Sequence, residues 1–141
     1  MTETKEEKVQ KLYIEFQLLN QQIQQLEKQN EALDNKLIEL IMTNQSLDDL
    51  KDIKEKTEIL VPVSAGIHAK AEIKDGKSFV VNVGANVALV KDLNSTKEII
   101  KNQIVEIREL QESLAEQLQE RVTKASSMEQ EINQIASEIQ K

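Results

Sequence analysis

The side chains that do chemistry are few in this chain, and their spacing argues against a reaction centre. His68 is the only histidine and sits on the polar side of an alternating run, where a lone imidazole reads as a solvated or interface residue. Asp48, Asp49 and Asp52 bring three carboxylates together. They lack the alternating oxygen ligands and the glycine of a calcium loop, so they read as a solvated helix end with Lys51, Lys54 and Lys56 offsetting the charge. The pairs Glu6 with Glu7 and Glu116 with Glu120 fall on water-facing helix surfaces. Paired carboxylates do acid–base work only where burial or crowding shifts their proton affinity. No catalytic residue is assigned.

Composition carries the exclusion further. The 141 residues contain no Cys, no Trp, one Tyr and two Phe, with three Gly and one Pro. A disulfide framework, a thiolate nucleophile and a multi-histidine metal site within one chain are thereby ruled out. So few turn-formers leave room for long helices and none for a many-turned sandwich or barrel. A net charge of −7 repels phosphates, so nucleic acid is not expected as a partner. The longest apolar run, Ile59 to Val63, is far short of the ~20 residues that span a bilayer, and the start MTETKEEK has no hydrophobic signal core. The expectation is a soluble chain inside the cell, with no membrane partner and no cofactor.

Charge and periodicity divide the chain into 1–56, 57–91 and 92–141, with formal charges of −4, +1 and −4. In the first segment Val9, Leu12, Phe16, Leu19, Ile23, Leu26, Asn30, Leu33, Leu37, Leu40, Asn44 and Leu47 recur at alternating steps of three and four. That is a heptad seam, slipping at Leu50 and Ile53 as the helix nears an end by Lys56. The last segment repeats it through Leu93, Lys97, Ile100, Ile104, Ile107, Gln111, Leu114, Leu118, Arg121, Ala125, Met128, Ile132, Ile135 and Ile139. Asn94, Ser95 or Thr96 is the expected cap, Ser95 and Glu98 having capping-box spacing. If the middle folds back, the seams pair antiparallel, with Val9 near Ile139, Phe16 near Ile132, Ile23 near Ala125 and Asn44 near Ile104. Asn30 and Asn44 at seam positions either fix register or mark a looser layer.

Between the helices the period becomes two. Ile67, Ala69, Ala71 and Ile73 alternate with His68, Lys70 and Glu72, a half-buried strand pattern. Asp75-Gly76 reads as a two-residue hairpin turn. Gly84, Ala85 and Asn86 form a second turn candidate, and Pro62 confines its strand to an edge or bulge. Four short strands, read as two hairpins, cannot bury enough surface alone. Phe79, Val81 and Val83 face one way and Val80 the other, so the strands should assemble with other subunits. The expected interface is Ile59, Val61, Val63, Ile67, Ala69, Ile73, Phe79, Val81, Val83, Val87 and Leu89.

Glu58-Ile-Leu-Val-Pro-Val63 running into Ala65-Gly66, Val83-Gly84-Ala85-Asn86-Val87, and Tyr13-Ile-Glu-Phe-Gln-Leu-Leu19 together resemble the prefoldin family, in its four-strand alpha type. Where the family pattern reads VPVGAG and VGAG, this chain has Ser64 and Asn86. The resemblance implies an α+β, mostly α fold: a long antiparallel two-helix coiled coil with two small hairpins whose strands join an oligomeric barrel. It implies a hexamer of two alpha-type and four beta-type subunits in the cytoplasm. Unfolded clients would be held at coiled-coil tips and passed to a group II chaperonin without ATP; the chain has no phosphate-binding glycine loop. Val9, Leu12, Tyr13, Phe16, Ile132, Ile135 and Ile139 would line the tips, exposed as the helix ends fray. The other reading is a structural, filament-forming scaffold that assembles through the same strands.

Overall fold

In the computed structural model, which describes residues 2–140, two long helices flank four strands. The order is α1 (Lys5–Leu50), β1 (Glu58–Ser64), β2 (Ile67–Glu72), β3 (Ser78–Gly84), β4 (Val87–Asp92) and α2 (Leu93–Ile139). The chain divides into two units, one made of the stretch up to Asn35 with the stretch from Ile107 onward, the other of Lys36–Glu106.

The helices follow the seam. Every seam position of α1 from Val9 to Leu47 is buried or half-buried, and Leu19, Leu40 and Leu47 are fully buried. In α2 the seam from Leu93 to Ile135 is likewise covered, with Ile107, Ala125, Met128 and Ile135 buried. A narrow stripe that pairs while Gln, Glu and Lys face water is what a 3.5-residue period produces. Thr4 starts α1: its hydroxyl oxygen accepts the Glu7 N–H at 3.2 Å, a bond the Thr4-Lys-Glu-Glu7 spacing supplies. In the first unit Leu19, Ala125 and Met128 form a buried cluster against which Leu12, Phe16 and Ile23 pack. In the second, Lys97 pairs with Asp48, and Asn44 lines one cleft with Ile104. Ile23 beside Ala125 and Asn44 beside Ile104 accord with the expected register.

The strands make two separate antiparallel hairpins, β1 with β2 and β3 with β4; among the described residues no barrel is closed within the chain. The two are copies at an offset of twenty residues. Glu58 faces Glu72 and Ser78 faces Asp92; Val61 faces Ala69 and Val81 faces Leu89; each register slips at the same place, between Pro62 and Ser64 and between Asn82 and Gly84. The turns differ. Ala85 and Asn86 both have positive φ, at 51° and 60°, the pairing a type I′ turn demands. At Ala65-Gly66 only Gly66 is positive, at 79°, so Ser64 meets no left-handed requirement.

Asp75-Gly76 is not a hairpin turn; it joins the two hairpins, and β2 does not pair with β3. The Asp75 carboxylate accepts the Lys77 and Ser78 N–H groups at 2.9 and 3.1 Å, an Asx-type bend that starts β3. Gly76 is buried, and a Cβ there would lie 2.0 Å from the Leu50 carbonyl oxygen and 3.3 Å from Ile53 Cγ2, so the position takes glycine. Helix α1 stops at Leu50, short of Lys56. The Leu50 carbonyl accepts from Ile53 N–H in a tight 3.2 Å turn, and Lys56 turns left-handed at φ 63° to donate its N–H to Ile73 at 2.8 Å.

Helix α2 is capped by Asp92, not by Asn94, Ser95 or Thr96. The Asp92 carboxylate accepts the Ser95 N–H at 2.7 Å, and the buried Thr96 hydroxyl donates to the Asp92 carbonyl at 2.7 Å. With the last strand residue serving as cap, β4 runs into α2 without a loop.

Candidate functional site

Each unit carries apolar residues that the chain itself leaves uncovered, Ile38, Ile41 and Met42 of α1 among them. In the hairpin unit, directly opposed residues share a face. Ile59, Val61, Ala69 and Ala71 lie on one face of the first hairpin, and Phe79, Val81, Leu89 and Lys91 on the matching face of the second. Val63, Ile67 and Ile73, and Val83 and Val87, extend these faces by alternation. Ile59, Ile73, Phe79 and Val81 are half-buried, whereas Val61, Val63, Ile67, Ala69, Val83, Val87 and Leu89 are exposed. The expected interface residues therefore do share faces.

The opposite faces hold what the expectation omitted. Val80 and Val90 are cross-strand partners and, at 75% and 73% exposure, the most open of the exposed large apolar residues; Leu60, on the corresponding face of the first hairpin, is at 63%. Val80 was legible as facing away from Phe79, but its pairing with Val90 depends on the hairpin register. The equivalent face of the first hairpin is polar apart from Leu60 and Pro62, with Glu58, Glu72, Lys70 and His68. His68 stands opposite Pro62 and is exposed. Among the described residues no three of His, Cys, Asp and Glu gather so as to hold a metal, and no helix is long and apolar enough to cross a membrane.

In the other unit, the seven expected tip residues differ in exposure, and Ile139, although expected in the seam, is not covered. Val9, Leu12, Phe16 and Ile132 are half-buried and Ile135 is buried, while Tyr13 and Ile139 are exposed. Ile14 and Leu18, which the seam reading passed over, are exposed beside them. Ion pairs rim the helices: Lys5 with Glu138 at 3.3 Å, Lys8 with Glu131 at 3.6 Å and Lys11 with Glu3 at 2.7 Å. The Glu3 carboxylate, bonded to Lys11, raises the lysine's pKa above its ordinary value. Glu15, Leu18, Leu19, Gln22, Lys124 and Met128 line a cleft of about 300 Å³.

The polar seam residues of α2 are partnered across the helices, Lys97 by Asp48 and the other two by hydrogen bonds. Gln111 donates to Asp34 at 2.6 Å and Arg121 to Gln22 at 3.2 Å. Such pairs contribute little energy at an exposed surface but penalise a slipped register, in which they would be broken.

Comparison with known proteins matches this geometry. A family model described as prefoldin subunit matches residues 19–138. A protein of Pyrococcus horikoshii named prefoldin subunit alpha is 32% identical over 131 residues, covering 89% of this chain and 88% of its own length. One of the same name from Methanococcus vannielii is 26% identical over 135 residues, covering 96% and 90%. Among solved structures, a filamentous PFD from Methanocaldococcus jannaschii superposes with a TM-score of 0.72 at 21% identity, over 79% of this chain and 93% of that one.

Proposed function

The chain belongs to the prefoldin family, and from that premise we propose that it is the alpha-type subunit of an ATP-independent holding chaperone in the cytoplasm. Residues 57–91 are the assembly region, joining beta-type subunits, two of these chains to four partners, in a shared barrel. The observation that carries this is the pair of equivalent hairpins whose apolar faces, Val61, Val63 and Ile67 on one and Val83, Val87 and Leu89 on the other, stand open. Two-stranded sheets with open apolar faces and unpaired edges are not stable alone and seek other strands. Unfolded clients are held at the coiled-coil stretch near the chain ends, where Val9, Leu12, Tyr13, Phe16, Ile132, Ile135 and Ile139 lie, and are released to a group II chaperonin.

A second reading, a filament-forming scaffold using the same hairpins, is raised by the filamentous assembly of the Methanocaldococcus protein. Light scattering after size exclusion separates the two. A discrete mass of two chains plus four beta-type subunits supports the chaperone; a polymer growing from this chain alone, indifferent to the partner, overturns it in favour of the scaffold.

A further inference from the structure

Asp75-Gly76 is the one Asp-Gly step in the sequence, and no Asn-Gly step accompanies it. Aspartate followed by glycine is open to a spontaneous rearrangement, because glycine has no side chain to shield its backbone nitrogen. The Gly76 nitrogen attacks Asp75 Cγ, the nitrogen loses its proton and one carboxyl oxygen leaves as water, closing a succinimide ring. Water then opens the ring at either carbonyl. One opening restores aspartate; the other gives isoaspartate, in which the main chain runs through the former side chain and is one methylene longer. Ring closure needs a neutral carboxyl group and a backbone free to swing toward the side chain.

The fold withholds both. The Asp75 carboxylate accepts the Lys77 and Ser78 N–H groups at 2.9 and 3.1 Å, which fixes the side chain and holds its carboxyl below the usual carboxylate range, so that it stays ionised. Gly76 is buried, with the Leu50 carbonyl oxygen and Ile53 Cγ2 occupying the space a side chain would take. Two backbone bonds close the joint between the segment after α1 and this connector: Lys56 N–H donates to the Ile73 carbonyl at 2.8 Å, and Ile73 N–H to the Thr57 carbonyl at 2.9 Å. Water for ring opening is at hand, since a cleft of about 420 Å³, with Lys51, Gly76, Lys77 and Asp92 in its lining, lies beside the step.

We propose that Asp75 is a modification site gated by this joint: while Gly76 is packed under Leu50 the step is inert, and once the joint opens it converts to isoaspartate. The added methylene displaces the acceptor of the Lys77 and Ser78 N–H groups, where β3 begins, so conversion of one residue loosens the start of the second hairpin. The chemistry is independent of what the chain binds.

The test holds the full chain, in whatever assembly it forms, in a mildly acidic native buffer and in the same buffer with unfolding urea. Isoaspartate at position 75 is read by electron-transfer fragmentation of the peptide that spans it, and heavy-oxygen water marks each ring that opens. Formation in native buffer should be at least about ten-fold slower than in urea, corresponding to a joint that opens at a cost of about 1.4 kcal/mol or more. Ile53→Ala, which trims the side chain over Gly76, should speed native formation several-fold, with circular dichroism checking the fold. If that variant does not fold, amide hydrogen exchange of Lys56 in the unaltered protein takes its place, and the protection should match the slowing. Equal rates in native buffer and urea overturn the proposal, as does an absence of isoaspartate in urea. A folded Ile53→Ala that converts no faster than the unaltered chain, or an unprotected Lys56 amide beside slow native conversion, overturns it too, because the guard is then not this joint.

Discussion

Glycine 76 illustrates how one missing Cβ shapes its surroundings. Its neighbour on α1 is a backbone carbonyl, 2.0 Å from where a Cβ would stand, and backbone yields less than a flexible side chain. Gly76→Ala should cost about 1–3 kcal/mol, read as a lower urea midpoint at unchanged slope. At the turns the signs divide. Ala85 holds φ 51°, a left-handed conformation that penalises a Cβ by roughly 1–2 kcal/mol, so Ala85→Gly should stabilise. Ser64 has no positive φ, and Ser64→Gly should lose up to about 1 kcal/mol of backbone entropy. Thermal melts of the two variants should therefore move in opposite directions.

Asp75 and Asp92 add a dependence on pH. Backbone N–H groups bonded to each carboxylate, those of Lys77 and Ser78 for Asp75 and of Ser95 for Asp92, lower both below the usual carboxylate range. A depressed folded-state pKa means stabilisation that is complete above the unfolded carboxylate's value of about 4 and is lost as pH falls through the folded value. The melting temperature of the unaltered protein should drop below about pH 4, and Asp75→Asn/Asp92→Asn should flatten that drop. An equal slope in the double variant would remove these two bends from the account.

Helices α1 and α2 owe their pairing to periodicity and their register to polar interruptions. Asn30 is half-buried at a seam position where leucine would bury more apolar surface. Asn30→Leu should stabilise by about 1 kcal/mol while loosening specificity, seen as a higher melting temperature with a broader distribution of masses. The hairpins show how an element repeats with altered chemistry. The twenty-residue offset keeps register and bulge, yet Lys70 stands where the second copy has Val90, so only the second hairpin is apolar on both faces.

For the whole molecule, assembly is the property most exposed to a single change. Val81 lies opposite Leu89 on the face proposed to enter a shared barrel. Val81→Lys places a charge there whose burial is costly, and should lower the assembly mass measured with beta-type subunits while leaving the helical circular dichroism intact. A full-size assembly carrying Val81→Lys would show that this face is not the interface.

Both helices, their seams and the presence of four strands were readable in the amino-acid order, because burial in a coiled coil or a strand recurs at a short, regular interval that the apolar residues trace directly. The family motif from Glu58 to Ala65-Gly66 was readable for the same reason, being local. Strand partnership was legible in part: Gly84-Ala85-Asn86 marks the turn that pairs β3 with β4, whereas β2 and β3, on either side of Asp75-Gly76, do not pair. Asp75-Gly76 has the composition of a hairpin turn, but in the folded chain it serves a close approach to Leu50, 26 residues earlier in the sequence (76 − 50) yet adjacent in space. Likewise Asp92 is the cap because β4 delivers it to the first turn of α2, whereas the local spacing favoured Ser95. Which apolar residues stay exposed, Val80 with Val90 and Ile14 with Leu18, also waited on the tertiary structure: exposure depends on what other segments cover, and no periodicity within one segment records that.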